Sequence, residues 1–255
     1  FFGGIVLVYL SLIHSTYLTY NRNKKLVELA YYDPLTGLPN TESLKQRLDQ
    51  DLTRSKSQKG ILLIECENLS FINLTIGYEY GDLVLNEIGQ RLKMIENQNI
   101  QLFRFIAQNY VVYIKSYQNR EELLAIIARV NDLLEEPFVI NNITEHLRFK
   151  IGVMEYSTTE KPIDELLKDA TIALKNVDSC DAKNYQFFDE KMEQKIQREE
   201  IIEKEIRTAI MEEDTVKIYL AYQPIVDLDT HKIVGFEALA RMNSEEFGFV
   251  SPVEF

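Results

Sequence analysis

Few side chains in this sequence could do chemistry, and they fall into three groups. Glu237 and Arg241 sit in an alternating stretch with Leu239 between them. Side chains on a strand alternate between its faces, so 237, 239 and 241 share one. A carboxylate and a guanidinium placed this way form either a surface ion pair or the charged part of a binding site. Asn73 and Asp82 supply an amide and a carboxylate. Their plain reading is structural, with Asp82 capping the helix that follows and Asn73 holding a loop. Gln108 and Asn109 put two neutral amides side by side at the tip of a hairpin.

Other chemistries are excluded by composition. Cys66 and Cys180 make neither a disulfide scaffold nor a CxxC zinc site. His14, His146 and His231 are too scattered for a histidine metal cluster. The net charge of −12 argues against nucleic acid as a partner, because phosphate binding needs clustered Lys and Arg. With 45% hydrophobic and 11% aromatic residues in 255, the chain can bury a core of one large domain or two modest ones. It neither begins with Met nor tapers after Phe255, as expected of a piece of a longer protein.

The elements that must position these groups can be read from periodicity. Asn40 is a good N-cap, and Leu44, Leu48 and Leu52 predict a helix to about Ser55. Ile61–Ile64 reads as a short buried strand, and Leu85, Ile88, Leu92 and Ile95 as a helix. Residues 101–115 read as two strands around a tight turn near Gln108 and Asn109. Leu123, Ile127, Val130 and Leu134 mark the next helix, 146–155 a strand, Ile163 to Ala173 another helix and Tyr185–Phe188 a last strand. This interleaving predicts a mixed-sheet α/β domain over 33–190. A charged helix with Ile202, Ile206, Ala209 and Ile210 on one stripe follows, then strands at 216–226 and 231–241.

The first twenty residues carry no Lys, Arg, Asp or Glu, and Arg22, Lys24 and Lys25 follow at once. About 20 helical residues span roughly 30 Å, the hydrocarbon thickness of a bilayer. The expectation is a transmembrane helix over 1–20 in an inner (cytoplasmic) membrane, a connector helix over 21–32, and residues 21–255 cytoplasmic. A signal peptide is disfavoured by basic residues on the wrong side. A buried core helix is the remaining alternative.

Asp33-Pro-Leu-Thr-Gly-Leu-Pro-Asn40 resembles the entry motif of GGDEF domains, the diguanylate cyclase family. The resemblance continues through Ile72-Asn73, Gly77, Gly81-Asp82, Ile151-Gly-Val153 and Ala170–Leu174, covering about 33–190. Tyr222-Gln-Pro-Ile225, Glu237-Ala-Leu239 with Arg241, and Gly248–Phe255 resemble the start of an EAL domain, placing 191–255 as linking helix and N-terminal part of that domain. The implied fold is a nucleotide-cyclase-like domain followed by the first strands of a TIM-like barrel.

The resemblance implies roles. Asn73 and Asp82 match the family's guanine-reading pair. Glu65 takes the place of its strand-end metal carboxylate. Glu237 is implied as a metal ligand, and Gln223, Leu239 and Arg241 as substrate contacts. The family's signature hairpin falls on Ile106-Ala-Gln-Asn-Tyr110, where both acidic positions are amides and both glycines carry side chains. Neutral amides are poor Mg²⁺ ligands, and β-branched Ile106 resists positive φ, so a reshaped turn is expected. Ser70 and Asp178 stand where the family has basic phosphate contacts, Leu74 where it has Asp, and Tyr78 where it has His.

The function expected is a membrane-anchored cyclic-di-GMP signalling protein. A cyclase-dead GGDEF domain regulates an EAL phosphodiesterase that uses Mg²⁺ or Mn²⁺ in the full-length parent. The alternative is a non-catalytic receptor or scaffold for cyclic di-GMP or GTP. The implied partners are cyclic di-GMP, GTP, the membrane and a second copy of the chain.

Overall fold

The computed structural model of the chain describes residues 2–52, 57–157, 161–178, 183–211 and 216–255. Cys180 and the helix end expected near Ser55 lie outside them. The chain divides into two units, Phe1–Phe188 and Asp189–Phe255.

The first unit is organised by strand β1 (Gln58–Cys66), buried on both faces from Lys59 to Ile64. A strand apolar on both sides must be covered on both. Strands β3 (Asn109–Tyr117) and β6 (Phe149–Tyr156) flank it antiparallel, and β2 (Ile100–Arg104) pairs antiparallel outside β3. Strand β7 (Tyr185–Phe187) adds the parallel pair beyond β6, giving the mixed order β2-β3-β1-β6-β7.

Period-two alternation sorts the side chains of β1 between two cores. Leu62 and Ile64 pack under helices α4 (Tyr78–Lys93) and α5 (Arg120–Glu135), through Val84, Ile88, Leu92, Leu123, Ile127 and Val130. Ile61 and Leu63 pack under α2 (Thr41–Leu52) and α6 (Ile163–Lys175), through Leu44, Leu48, Leu166 and Ala170. Cys66 is buried, which pushes its thiol up to about 12 and leaves it unreactive at neutral pH.

Helix α6 approaches β6 closely at Gly152. A Cβ there would lie 2.2 Å from the Ala170 carbonyl oxygen and 2.6 Å from the Leu174 nitrogen, both backbone atoms that cannot rotate away. Gly152→Ala is therefore expected to cost about 3 kcal/mol. Urea unfolding monitored by circular dichroism measures it, and an unchanged midpoint would contradict this packing.

Helix α1 (Phe2–Tyr31) is one continuous element. The transmembrane helix expected over 1–20 is not supported, because among the described residues no helix is long and apolar enough to cross a membrane. The physical reason lies in its second half. Ser15, Thr16, Thr19 and Arg22 belong to the same helix, and Lys24 pairs with Glu28 at 4.0 Å. The charged groups lie beyond residue 20, but His14, Ser15, Thr16 and Thr19 fall inside the expected span, and the apolar run before His14 is short of about 20 residues.

The α1–α2 joint is built on Asn40. Its Oδ1 accepts from the backbone N–H groups of Glu42 (3.0 Å) and Ser43 (3.1 Å), capping α2 as its residue type predicts. Its Nδ2 donates to the Ala30 carbonyl of α1 (2.9 Å), and its backbone N–H donates to the Tyr31 carbonyl. The preceding turn is held by Asp33, whose Oδ1 accepts from the Thr36 N–H and hydroxyl at 2.8 and 2.6 Å. Gly37 there adopts φ +67°.

Three short elements were not legible from periodicity. Helix α3 (Leu69–Thr75) precedes α4, and β4 (Phe138–Ile140) and β5 (Ile143–Glu145) form a hairpin. Its turn is Asn141-Asn142, with φ of 50° and 63°. Asn tolerates this left-handed conformation, which is the chemistry of a tight hairpin turn. The strand expected from 146 begins at Phe149.

In the second unit, helix α7 (Glu190–Met211) accompanies an antiparallel sheet in the order β10-β9-β8. Its strands are β8 (Ile218–Val226), β9 (Ile233–Ser244) and β10 (Gly248–Val250). Ile202 of α7 is buried with Met242 and Val250, and Ile206 and Ile218 pack around them.

Candidate functional site

The first unit's candidate site is the β2–β3 turn with the end of β1. The Phe105 N–H donates to the Asn109 carbonyl and the Asn109 N–H to the Ile106 carbonyl, at 2.9 and 3.1 Å. Positive φ falls on Ala107 (54°), while β-branched Ile106 avoids it and is 64% exposed. The expected reshaping thus takes the form of moving the left-handed residue to one with a single methyl, at a cost of about 1–2 kcal/mol. Asn109 already belongs to β3, so the tip is one residue earlier than the sequence suggests.

Two contacts fix this turn. Arg104, nearly fully buried, donates from Nη1 to the Asn109 carbonyl (2.6 Å) and from Nη2 to the Ala107 carbonyl, and its guanidinium lies 4.7 Å from the Tyr110 ring centroid. Nothing in the sequence pattern singles Arg104 out. Gln108 Nε2 donates to Glu65 Oε1 at 3.0 Å. Glu65 is the ladder partner of Asn109 on one side and Lys150 on the other.

These residues do not fit a Mg²⁺ ion. Among the described residues Glu65 is the carboxylate that hydrogen-bonds to the turn, and an amide N–H already points at its oxygen. Gln108 and Asn109 bring no charge, and a hard divalent cation needs several oxygen donors, carboxylates foremost. The Asn109 Oδ1 is buried without a hydrogen-bond partner among the described residues. Among those residues no group of three His, Cys, Asp or Glu could hold a metal.

Asn73 and Asp82 lie on neighbouring helices. Asn73 is inside α3 rather than in a loop, and Asp82 is inside α4, whose N-cap is Gly77. Neither structural role expected for them holds. A Cβ on Gly81 would fall 1.8 Å from Asn73 Oδ1, so the missing side chain at 81 is what admits the amide. That Oδ1 is buried and without a hydrogen-bond partner among the described residues, while Asp82, next to Gly81 in sequence, is exposed. Leu74 (81% exposed) and Tyr78 (73%) rim the same region as apolar groups. Ser70 is exposed, and Asp178 lines a cavity of about 360 Å³ with Glu67, Arg148 and Lys150.

The second unit places its candidates by ladder register. Gln223 pairs with Glu237, Ala221 with Leu239, and Tyr219 with Arg241. Cross-strand partners share a face, so Gln223, Glu237, Leu239 and Arg241 lie together, as do Tyr219 and Ala221. The opposite face carries Ile218 and Met242 against α7. The ion pair weighed for Glu237 and Arg241 does not form: Arg241 Nη1 donates to the Ala240 carbonyl at 2.8 Å. Glu237 is exposed and supplies one carboxylate, which could be a metal ligand but is not a metal site alone. Tyr219 escaped sequence reading, although counting back by twos from Gln223 reaches it.

Comparison with known proteins gives consistent results for both units. The family model described as "Diguanylate cyclase, GGDEF domain" matches residues 30–184, and the EAL domain model matches 203–255. The cyclic di-GMP phosphodiesterase NbdA of Pseudomonas aeruginosa is 27% identical over 233 residues, covering 90% of this chain and 29% of that protein. The bifunctional diguanylate cyclase/cyclic di-GMP phosphodiesterase MucR of the same organism is 24% identical over 236 residues, covering 91% and 34%. The chain spans about a third or less of the length of the first curated relatives it matches, 28%, 32% and 29%. Among solved structures, the S helix–GGDEF–EAL structure of Vibrio cholerae LapD, bound to c-di-GMP, shares the fold with a TM-score of 0.61 at 20% identity, covering 93% of this chain and 55% of that one. A diguanylate cyclase/phosphodiesterase from Caldicellulosiruptor saccharolyticus has a TM-score of 0.56 at 24% identity, covering 64% and 96%.

Proposed function

Because the chain belongs to the diguanylate cyclase GGDEF family and runs on into the start of an EAL domain, as cyclic-di-GMP signalling proteins do, we propose that its GGDEF unit makes no cyclic di-GMP and that its output is hydrolysis of cyclic di-GMP by the EAL part. The observation that carries the first half is the Gln108–Glu65 hydrogen bond, which puts an amide donor where a cyclase would put a cation. The second half is supported by the shared face of Gln223, Glu237, Leu239 and Arg241, and by NbdA, a relative that is a cyclic di-GMP phosphodiesterase. The guanidinium suits a phosphate and the carboxylate a divalent cation. Chromatography of the full-length protein incubated with cyclic di-GMP and Mg²⁺ or Mn²⁺ tests this. Linear product is expected, and binding without turnover would replace the enzyme by a receptor.

The GGDEF unit also keeps a guanine-reading pair in this proposal. The supporting observation is the buried, unpartnered Asn73 Oδ1, since an orphan acceptor costs about 1–3 kcal/mol and such costs concentrate at binding sites. An amide and a carboxylate can read guanine's O6 acceptor and its N1 and N2 donors. Calorimetry is expected to show modest GTP binding that Asp82→Ala weakens about tenfold or more, the loss of a charge-assisted hydrogen bond. Equal heats for the two proteins would remove Asp82 from this role.

A further inference from the structure

The face that carries Glu237 and Arg241 has a member with no role so far. Tyr219 is the ladder partner of Arg241, and it stands at the same end of the sheet. It is 39% exposed, and its side chain makes no ring contact or hydrogen bond among the described residues. Tyr222, the tyrosine of the Tyr222-Gln-Pro-Ile225 motif, differs from it in strand parity and points to the opposite face.

The composition of this face is ordered along the strands. Tyr219 and Arg241 form one end, Ala221 and Leu239 the middle, and Gln223 and Glu237 the other end. Rows two residues apart on a strand are separated by about 6.6 Å, and directly opposed side chains have Cβ atoms about 5 Å apart. Ala221 contributes only a methyl group, so an open step lies between the ring of Tyr219 and the amide of Gln223. Beside this step stand an aromatic ring and a guanidinium, groups suited to a nucleobase and to its attached phosphate.

We propose that Tyr219 is a substrate-binding residue of the EAL part, its ring stacking on one guanine of cyclic di-GMP while Arg241 holds the neighbouring phosphate. This rests on the reading of that face as a cyclic-di-GMP site. Stacking is an interaction of ring faces. It therefore needs the aromatic ring at 219 and not its hydroxyl, and it acts in the ground state as much as in the transition state.

The test uses the full-length protein, cyclic di-GMP as the probe, and three variants: Tyr219→Phe, Tyr219→Leu and Glu237→Gln. Tyr219→Leu is expected to raise KM and the calorimetric Kd about tenfold or more, with kcat within about twofold. Tyr219→Phe is expected to match the unsubstituted protein in both. Glu237→Gln is expected to lose turnover while keeping the ligand. Unchanged KM and Kd in Tyr219→Leu, or equal losses in Phe and Leu, would overturn the stacking role while leaving the site itself standing. No cyclic-di-GMP binding by the unsubstituted protein would overturn both the site and the role of Tyr219. Circular dichroism of each variant separates loss of contact from loss of fold, and the exposure of Tyr219 favours intact folding.

Discussion

Glu237→Gln in the full-length protein is expected to lower the rate of cyclic-di-GMP hydrolysis by about 10²–10³-fold while changing ligand affinity by no more than a few-fold. The substitution keeps the size of the side chain and its place on β9, opposite Gln223, and removes only the charge. The carboxylate would act through a divalent cation that it helps to hold, and a cation's stabilisation of a phosphodiester is greatest where negative charge on the oxygens is greatest, in the transition state. Divalent-cation dependence of a thermal melt gives a second readout: the shift produced by Mn²⁺ is expected to shrink in Glu237→Gln. An unchanged rate in a protein that hydrolyses cyclic di-GMP would remove Glu237 from the site.

The second large effect is an absence of product. Incubated with GTP and either Mg²⁺ or Mn²⁺, the protein is expected to form no cyclic di-GMP above a protein-free blank. The triphosphate needs cations to neutralise it before a 3′-hydroxyl can attack the α-phosphate, and the place for them is filled by Gln108 Nε2 at 3.0 Å from Glu65. The turn is closed in a second way as well. The buried guanidinium of Arg104 donates to the carbonyls of Asn109 and Ala107, and the turn carries the side chains of Ile106 and Ala107 where the family's signature has glycines. Clear formation of cyclic di-GMP under these conditions would refute the proposal for this unit.

What the sequence disclosed about these sites follows from how local the determinants are. The apolar stripes of α2, α4, α5 and α6 and the double-faced run of β1 are repeated signals within one element, and they fold as read. Helix α3 has seven residues, too few for a stripe to repeat, and only Leu69 and Ile72 are buried. The β4–β5 hairpin is three residues on each side, and its Asn141-Asn142 turn is a cue that the strand reading of the following segment overshadowed. For the site, residue types were informative and contacts were not. Amides at 108 and 109 can be read from the sequence directly, but the hydrogen bond from Gln108 to Glu65 joins positions far apart in sequence and depends on a turn whose tip shifted by one residue. The membrane reading failed for a related reason. It counted the uncharged run of residues 1–20 and took Arg22, Lys24 and Lys25 as its flank, whereas polar His14, Ser15, Thr16 and Thr19 fall inside that run, and among the described residues no helix is apolar enough to span a membrane.

Asn40 has a mechanical consequence. One side chain closes the start of α2 and grips the last turn of α1, and the backbone on either side repeats the grip. Torque applied to α1 about its axis therefore has no slack loop in which to dissipate. It is delivered as rotation of α2 and, one residue earlier, as a pull on Pro39, whose carbonyl accepts the N–H of Arg104 at 2.8 Å. Arg104 is the residue that clamps the β2–β3 tip. The joint is thus a crank whose output shaft ends at the β2–β3 turn, so the set of the leading helix and the shape of that turn are geared to each other.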